Sequence, residues 1–141
     1  MPTKQAENSE DSPAISFLGS NLKNIVILVN EPEAVYLKDD DLALLTGILS
    51  ACKLSLADTA IINVFRTSTD YKVLTDDLRP SVILFFGTDL RKLGMPMLFP
   101  DFQLQSYNSQ KLLAAPSLSE ISADIPLKKQ LWGILKQIFS S

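Results

Sequence analysis

The residues best able to do chemistry in this chain are carboxylates and hydroxyls that follow apolar runs. In "NIVILVNEPEAVY", Glu31 and Glu33 flank Pro32 directly after a β-branched run ending at Val29. Two carboxylates at a strand mouth are where a general base would activate water, given a pocket and a positioned partner. Asp39, Asp40 and Asp41 then stand in a row. Such a row invites a divalent cation, but Mg²⁺ and Ca²⁺ need convergent oxygens, and consecutive carboxylates at a helix start diverge. Complementing the helix dipole is the plainer use. In "KLLAAPSLSEI" an apolar run stops at Ala115 and Pro116, and Ser117, Ser119 and Glu120 follow. Gly87-Thr88-Asp89 closes another apolar run. One glycine falls short of a phosphate-cradling loop, so this reads as a turn.

Other chemistries are excluded by composition. The 141 residues contain no histidine, which removes Ser-His-Asp and Cys-His catalysis and most zinc sites. The lone Cys52 lies in an apolar helical pattern and reads as a buried free thiol, in keeping with a reducing compartment. The net charge is −3, a poor balance for neutralising phosphates. Glu31, Glu33 and Asp39 to Asp41, opposed by Lys38, give that mouth a formal charge of about −4, a field that repels a phosphodiester backbone. Tyr36, Phe99, Phe102 and Tyr107 fall in or near loops, where stacking on bases adds little without a basic groove. No cofactor, metal or membrane contact is expected, and a cytoplasmic location is the default.

These side chains need a scaffold, and the apolar periodicity supplies one. Three buried strands are expected at Asn24–Val29, Thr59–Phe65 and Ser81–Gly87. "FQLQSYN" and "SQKLLAAP" read as two more. Leu42, Leu45, Leu49 and Cys52 recur at helical spacing, with Leu44 and Ile48 beside them. "STDYKVLTDDLRP" reads as a short helix or turn. A last helix runs through "DIPLKKQLWGILKQIF", with Asp124 as N-cap, Pro126 in the first turn and Leu127, Leu131, Leu135 and Ile138 inward. Strands separated by helices indicate an α/β fold: three layers, with a small, mostly parallel central sheet and helices on both faces. Residues 1–23 are expected to form a flexible tail and 24–141 one domain. Within that tail, Ile15, Phe17 and Leu18 either pack on the domain or are offered to a partner. For Trp132, core burial is the first reading; a semi-exposed seam shared with Phe139 is the second.

Two of the loops carry a resemblance. "ILVNEPEA" resembles the first motif of the uracil-DNA glycosylase superfamily, a strand running into a Gly-[Glu/Gln]-[Ala/Asp]-Pro loop. "LLAAPSLSEI" resembles its second motif, His-Pro-Ser. The order and spacing of strands and motifs match over roughly residues 24–139. The positions are degenerate: Asn30 stands for the glycine, beside Glu31 and Pro32, and Ala115 stands for the histidine, before Pro116 and Ser117. The chain also resembles the bacterial DNA polymerase III psi subunits, which share that fold without glycosylase activity. "AAPSLSEISADIPLKKQLWGILKQI" is similar to their final strand, acidic turn and helix with a central Leu-Trp.

The psi resemblance implies a non-catalytic protein-binding subunit in DNA replication. Its partners would be the clamp loader and a chi-like subunit, without strong direct binding of nucleic acid. The N-terminal segment would be a docking peptide anchored by Ile15, Phe17 and Leu18, and Trp132 and Phe139 are further contact candidates. The alternative is a diverged glycosylase-like enzyme or base-binding protein using a carboxylate such as Glu31.

Overall fold

A computed structural model describes residues 15–139. Five strands form one sheet in the order β2-β1-β3-β5-β4. They are β1 (Ile25–Val29), β2 (Thr59–Asn63), β3 (Val82–Phe86), β4 (Gln105–Tyr107) and β5 (Gln110–Ala115). β1 pairs in parallel with β2 and β3, and β3 with β5; β4 is antiparallel to β5. Every residue of β1, β2 and β3 is buried, as continuous β-branched and aromatic runs require of strands covered on both faces. Asn108 and Ser109 turn the β4–β5 hairpin, both with positive φ, the geometry that two-residue hairpins favour.

The helices are α1 (Asp39–Ala51), α2 (Tyr71–Leu78), α3 (Leu118–Ser122) and α4 (Ile125–Phe139). One face of the sheet, through Ile27, Leu84 and Leu113, packs on Leu45 and Leu49 of α1, Ile121 of α3 and Leu131 and Leu135 of α4. The other face, through Leu28, Ile83 and Phe85, packs on Tyr71 and Leu74 of α2 and on Leu93 and Met95 from the irregular stretch after β3. The alternation of these side chains between faces follows the two-residue period of a strand. Tyr71 also donates its hydroxyl to Oε1 of the buried Gln110 at 2.6 Å, fixing α2 against β5. Among the described residues no helix is long and apolar enough to cross a membrane.

Caps set the helix starts. The Asp70 carboxylate accepts from the Val73 N–H, and that of Asp124 accepts from the Leu127 N–H at 3.1 Å, each satisfying a donor that the first turn leaves unpaired. α1 differs: Lys38 is its cap residue and makes no side-chain cap bond. The three aspartates fill the first turn instead and act on the dipole. The acidic turn expected after Pro116 is the short helix α3, capped by Ser117, whose hydroxyl accepts from the Glu120 N–H.

Two boundaries are corrected. β2 ends at Asn63, two residues short of Phe65, because the chain turns there, with the Arg66 and Thr67 N–H groups donating back to the Asn63 carbonyl. Residues 15–23 are not a free tail. Leu18 and Ile61 exchange two backbone hydrogen bonds at 2.9 and 2.8 Å, and the N–H groups of Asn21, Leu22 and Lys23 donate to Thr59, Ala57 and Asp58 carbonyls. Leu18 packs on one face of the sheet and Ile15 and Phe17 on the other. The three expected docking anchors are therefore engaged by the chain's own edge strand, whose unpaired groups need cover. The remainder of the expected tail, residues 1–14, lies outside the described residues.

Candidate functional site

The strand order reverses between β1 and β3, since the chain steps from β1 outward to β2 and returns to β3 on the other side. In open α/β sheets ligands bind beyond the carboxyl ends of the strands at such a point. The two degenerate loops meet there. Asn30 and Glu31 leave β1, Pro116 and Ser117 leave β5, and Phe86 ends β3. Asn30, Glu31, Phe86 and Ser117 border a recess of about 20 Å³, whose walls also include Asp41 and Ser119. That volume admits about one water molecule.

Asp41, Glu31, Ser117 and Ser119 at the recess each have a structural partner. Asp41, only 4% exposed, accepts from the Ser119 hydroxyl at 2.7 Å, tying α1 to α3. Glu31, 8% exposed, accepts from the Glu33 N–H at 2.9 Å and closes its own turn. Ser117 caps α3 and donates to the Glu120 carboxylate at 3.1 Å. Gly87 makes the closure possible: at φ +64°, a Cβ there would lie 2.9 Å from the Ser117 Cβ. Ala115, the residue before Pro116, is 4% exposed and belongs to the apolar cluster with Leu118 and Ile121. A charged ring at that position would be buried among methyl groups, which disfavours the ionised form.

Three sequence-level readings change here. The first concerns Asn63, which the sequence places inside the expected strand Thr59–Phe65. It is 1% exposed and is the hub of the β1–α1 loop. Its Oδ1 accepts from the N–H groups of Glu31 and Phe65, and its amide donates to the carbonyls of Glu31, Ala34 and Val35. A polar residue closing "TAII" was the available signal. The second is Arg66, whose guanidinium donates to the Ala34 and Pro32 carbonyls. The mouth thus sets five carboxylates against Lys38 and Arg66, a milder field than Lys38 alone would leave. The third is Cys52. It is partly exposed at the α1 C-cap, not fully buried. Burial pushes its thiol up from the ordinary range, with Lys136 acting the other way. A thiol so held is a weak nucleophile at neutral pH.

A mainly apolar hollow lies elsewhere, between α1 and α4. It measures about 450 Å³ and is lined by Ala43, Leu44, Gly47, Ile48 and Ala51 from α1 and by Lys128, Lys129 and Trp132 from α4. Trp132 is 46% exposed, so the reading of it as core is corrected. It falls off the buried stripe of Leu131, Leu135 and Ile138, and the Lys136 ammonium sits 5.1 Å from its ring centroid. Phe139 does not share this hollow. It packs on the core and lines a separate depression with Ile25, Lys23 and Lys111 at the amino ends of the strands.

Gly47 is in the interior of α1, and a Cβ added there meets nothing within 4 Å. Glycine costs a helix interior about 1 kcal/mol relative to alanine. Gly47→Ala is therefore expected to raise stability by about 1 kcal/mol in urea titrations followed by circular dichroism. A loss of stability would show that the chain itself needs the gap. Compared with known proteins, the chain matches no family model and no curated protein sequence.

Proposed function

We propose that this chain is a non-catalytic protein-binding subunit, of the kind its resemblance to the DNA polymerase III psi subunits implies, linking a clamp loader to partner proteins in DNA replication. On this reading the domain is a uracil-DNA glycosylase-like sheet whose base pocket has been closed. The observation that carries it is the recess at the strand ends. At about 20 Å³ it has no room for a nucleobase, its two carboxylates are occupied by Ser119 and by a backbone N–H, and a methyl group stands where an imidazole would be needed. A general base requires a pocket and a substrate within hydrogen-bond reach. Apolar surface is exposed on the α1–α4 face around Trp132, the type of patch that marks a protein contact.

Two experiments test the reading. Tagged protein isolated from its own cells should bring down clamp-loader subunits and a chi-like protein, identified by mass spectrometry. Recovery of neither would sink the replication assignment. In parallel, uracil release from single- and double-stranded DNA should stay at the no-enzyme level. Release that disappears in Glu31→Gln would overturn the non-catalytic assignment and favour the diverged-enzyme alternative.

A further inference from the structure

We propose that the groove between α1 and α4 receives one amphipathic helix of a partner protein, its apolar stripe seated on Ala43, Gly47 and Ala51 and its acidic flank facing Lys128 and Lys129. The proposal deepens the protein-binding reading above and rests on it, but not on replication. Four observations converge. Ala43, Gly47 and Ala51 are spaced four residues apart, so they form one exposed ridge of small side chains on α1. A ridge without bulk lets a second backbone approach closely. Gly47 weakens α1 while its missing Cβ opens onto solvent, not onto any neighbour in this chain, so the fold gains nothing from the gap. The hollow beside it is long enough to hold side chains from successive turns, and an exposed tryptophan forms its far wall. Buried aromatic anchors of this type dominate protein contacts.

Charge selects the occupant. Among the described residues, the ionisable side chains lining the groove are Lys128 and Lys129; the nearest carboxylate on the α1 ridge, Asp39, lies one turn before Ala43 and outside the lining. Lys136 stands over Trp132. This is a cationic face on a chain of net charge −3. Complementary charge raises the encounter rate and rejects like-charged partners. A second copy of this chain would bring the same lysines to a two-fold contact. A single-stranded nucleic acid would stack on a face of Trp132, and the Lys136 ammonium stands over one of the two faces, 5.1 Å from the ring centroid. An acidic helix satisfies both the small-residue floor and the lysine wall.

The test uses a displayed library of peptides of about 16 residues, about four helical turns. Each carries leucines at i, i+3, i+4 and i+7, with flanking positions randomised, and is selected on the full chain. Trp132 is the sole tryptophan, so its emission reports binding directly. Selected peptides should be enriched in Asp and Glu along one flank and should shift Trp132 emission to the blue. Their Kd should rise about tenfold or more with Gly47→Leu, which fills the floor, and with Lys128→Glu/Lys129→Glu, which reverses the wall. Gly47→Leu points into open space, so circular dichroism should report an intact fold. Failure to recover any peptide, enrichment without acidic residues, or equal binding by the Gly47→Leu protein would overturn the proposal. So would tighter binding of oligo-dT, or self-association that Gly47→Leu abolishes. Clamp-loader proteins recovered equally by wild type and Gly47→Leu would keep the replication reading and discard the groove.

Discussion

Replacing Asn63 with alanine is expected to lower folding stability by about 3–5 kcal/mol, the effect of stranding several buried backbone groups at once. One side chain serves two N–H donors and three carbonyls of the segment from Glu31 to Phe65. Alanine offers none of these bonds, and the position has no access to solvent that could replace them. The loop carrying Asn30, Glu31 and Pro32 would lose its tie to β2 and the recess at the switch point would open. Urea denaturation followed by circular dichroism measures the loss; a change under about 1 kcal/mol would mean that the network carries little weight. Asn63→Asp sharpens the test. It keeps an acceptor for the two N–H groups but sets an oxygen against three carbonyl oxygens. Burial and those carbonyls raise the folded-state pKa of the new carboxyl above its ordinary value of about 3.9. The folded state then binds more protons than the unfolded state between those two values, so stability falls as pH rises through that window. The deficit relative to wild type should be smallest near pH 4 and below and largest near neutrality. A deficit independent of pH would show that the amide does not face the carbonyls.

The second large effect is expected from Gly19→Ala. Gly19 sits at φ +108°, and a Cβ there would lie 2.2 Å from the Thr59 carbonyl oxygen and 2.6 Å from that of Leu56. Both obstacles are backbone, so neither can swing away. The residue must leave this conformation, and the segment from Ile15 to Lys23 must leave the edge of β2 with it. The loss comprises the Leu18–Ile61 pair of hydrogen bonds, those from Asn21, Leu22 and Lys23, and the packing of Phe17 and Leu18. A cost of about 2–4 kcal/mol is expected. Native-state hydrogen exchange reads it locally. The Ile61 N–H donates to the Leu18 carbonyl, so its protection should drop sharply while that of Ile27 on β1 stays. Retained protection at Ile61 would show that the segment accommodates the methyl group. The freed edge strand and three apolar side chains should also make the variant prone to self-association.

These two residues mark the limit of what the sequence could show. Asn63 follows "TAII" and looks like one more residue of a strand, because four of its five partner groups belong to a loop some thirty residues earlier. Gly19 looks like a linker glycine, because the carbonyls that exclude a side chain belong to residues 56 and 59. In both cases the residue's role is fixed by long-range contact, which no local pattern encodes. The same holds for Trp132. Its type argued for burial, yet its angular position on α4 is one residue off the stripe occupied by Leu131 and Leu135, and the exposed ridge opposite it on α1 carries only Ala43, Gly47 and Ala51, with Leu44 and Ile48 set beside it.

By itself the sequence determined the elements and the class of fold. Continuous β-branched runs made β1, β2 and β3 buried parallel strands, since only a sheet covered on both faces hides every side chain. Periodic leucines made α1 and α4, and Asp124 and Pro126 marked where α4 begins. The absence of histidine removed whole classes of catalysis before any coordinate was needed. Only the tertiary structure decided the order of the strands, the docking of residues 15–23, and the convergence of the Asn30–Pro32 and Ala115–Ser117 loops on a recess too small for a base. It alone placed the apolar groove on the α1–α4 face. The physical reason is that periodicity records which face of an element is buried, whereas a cavity's volume depends on how side chains from distant elements fill the space between them.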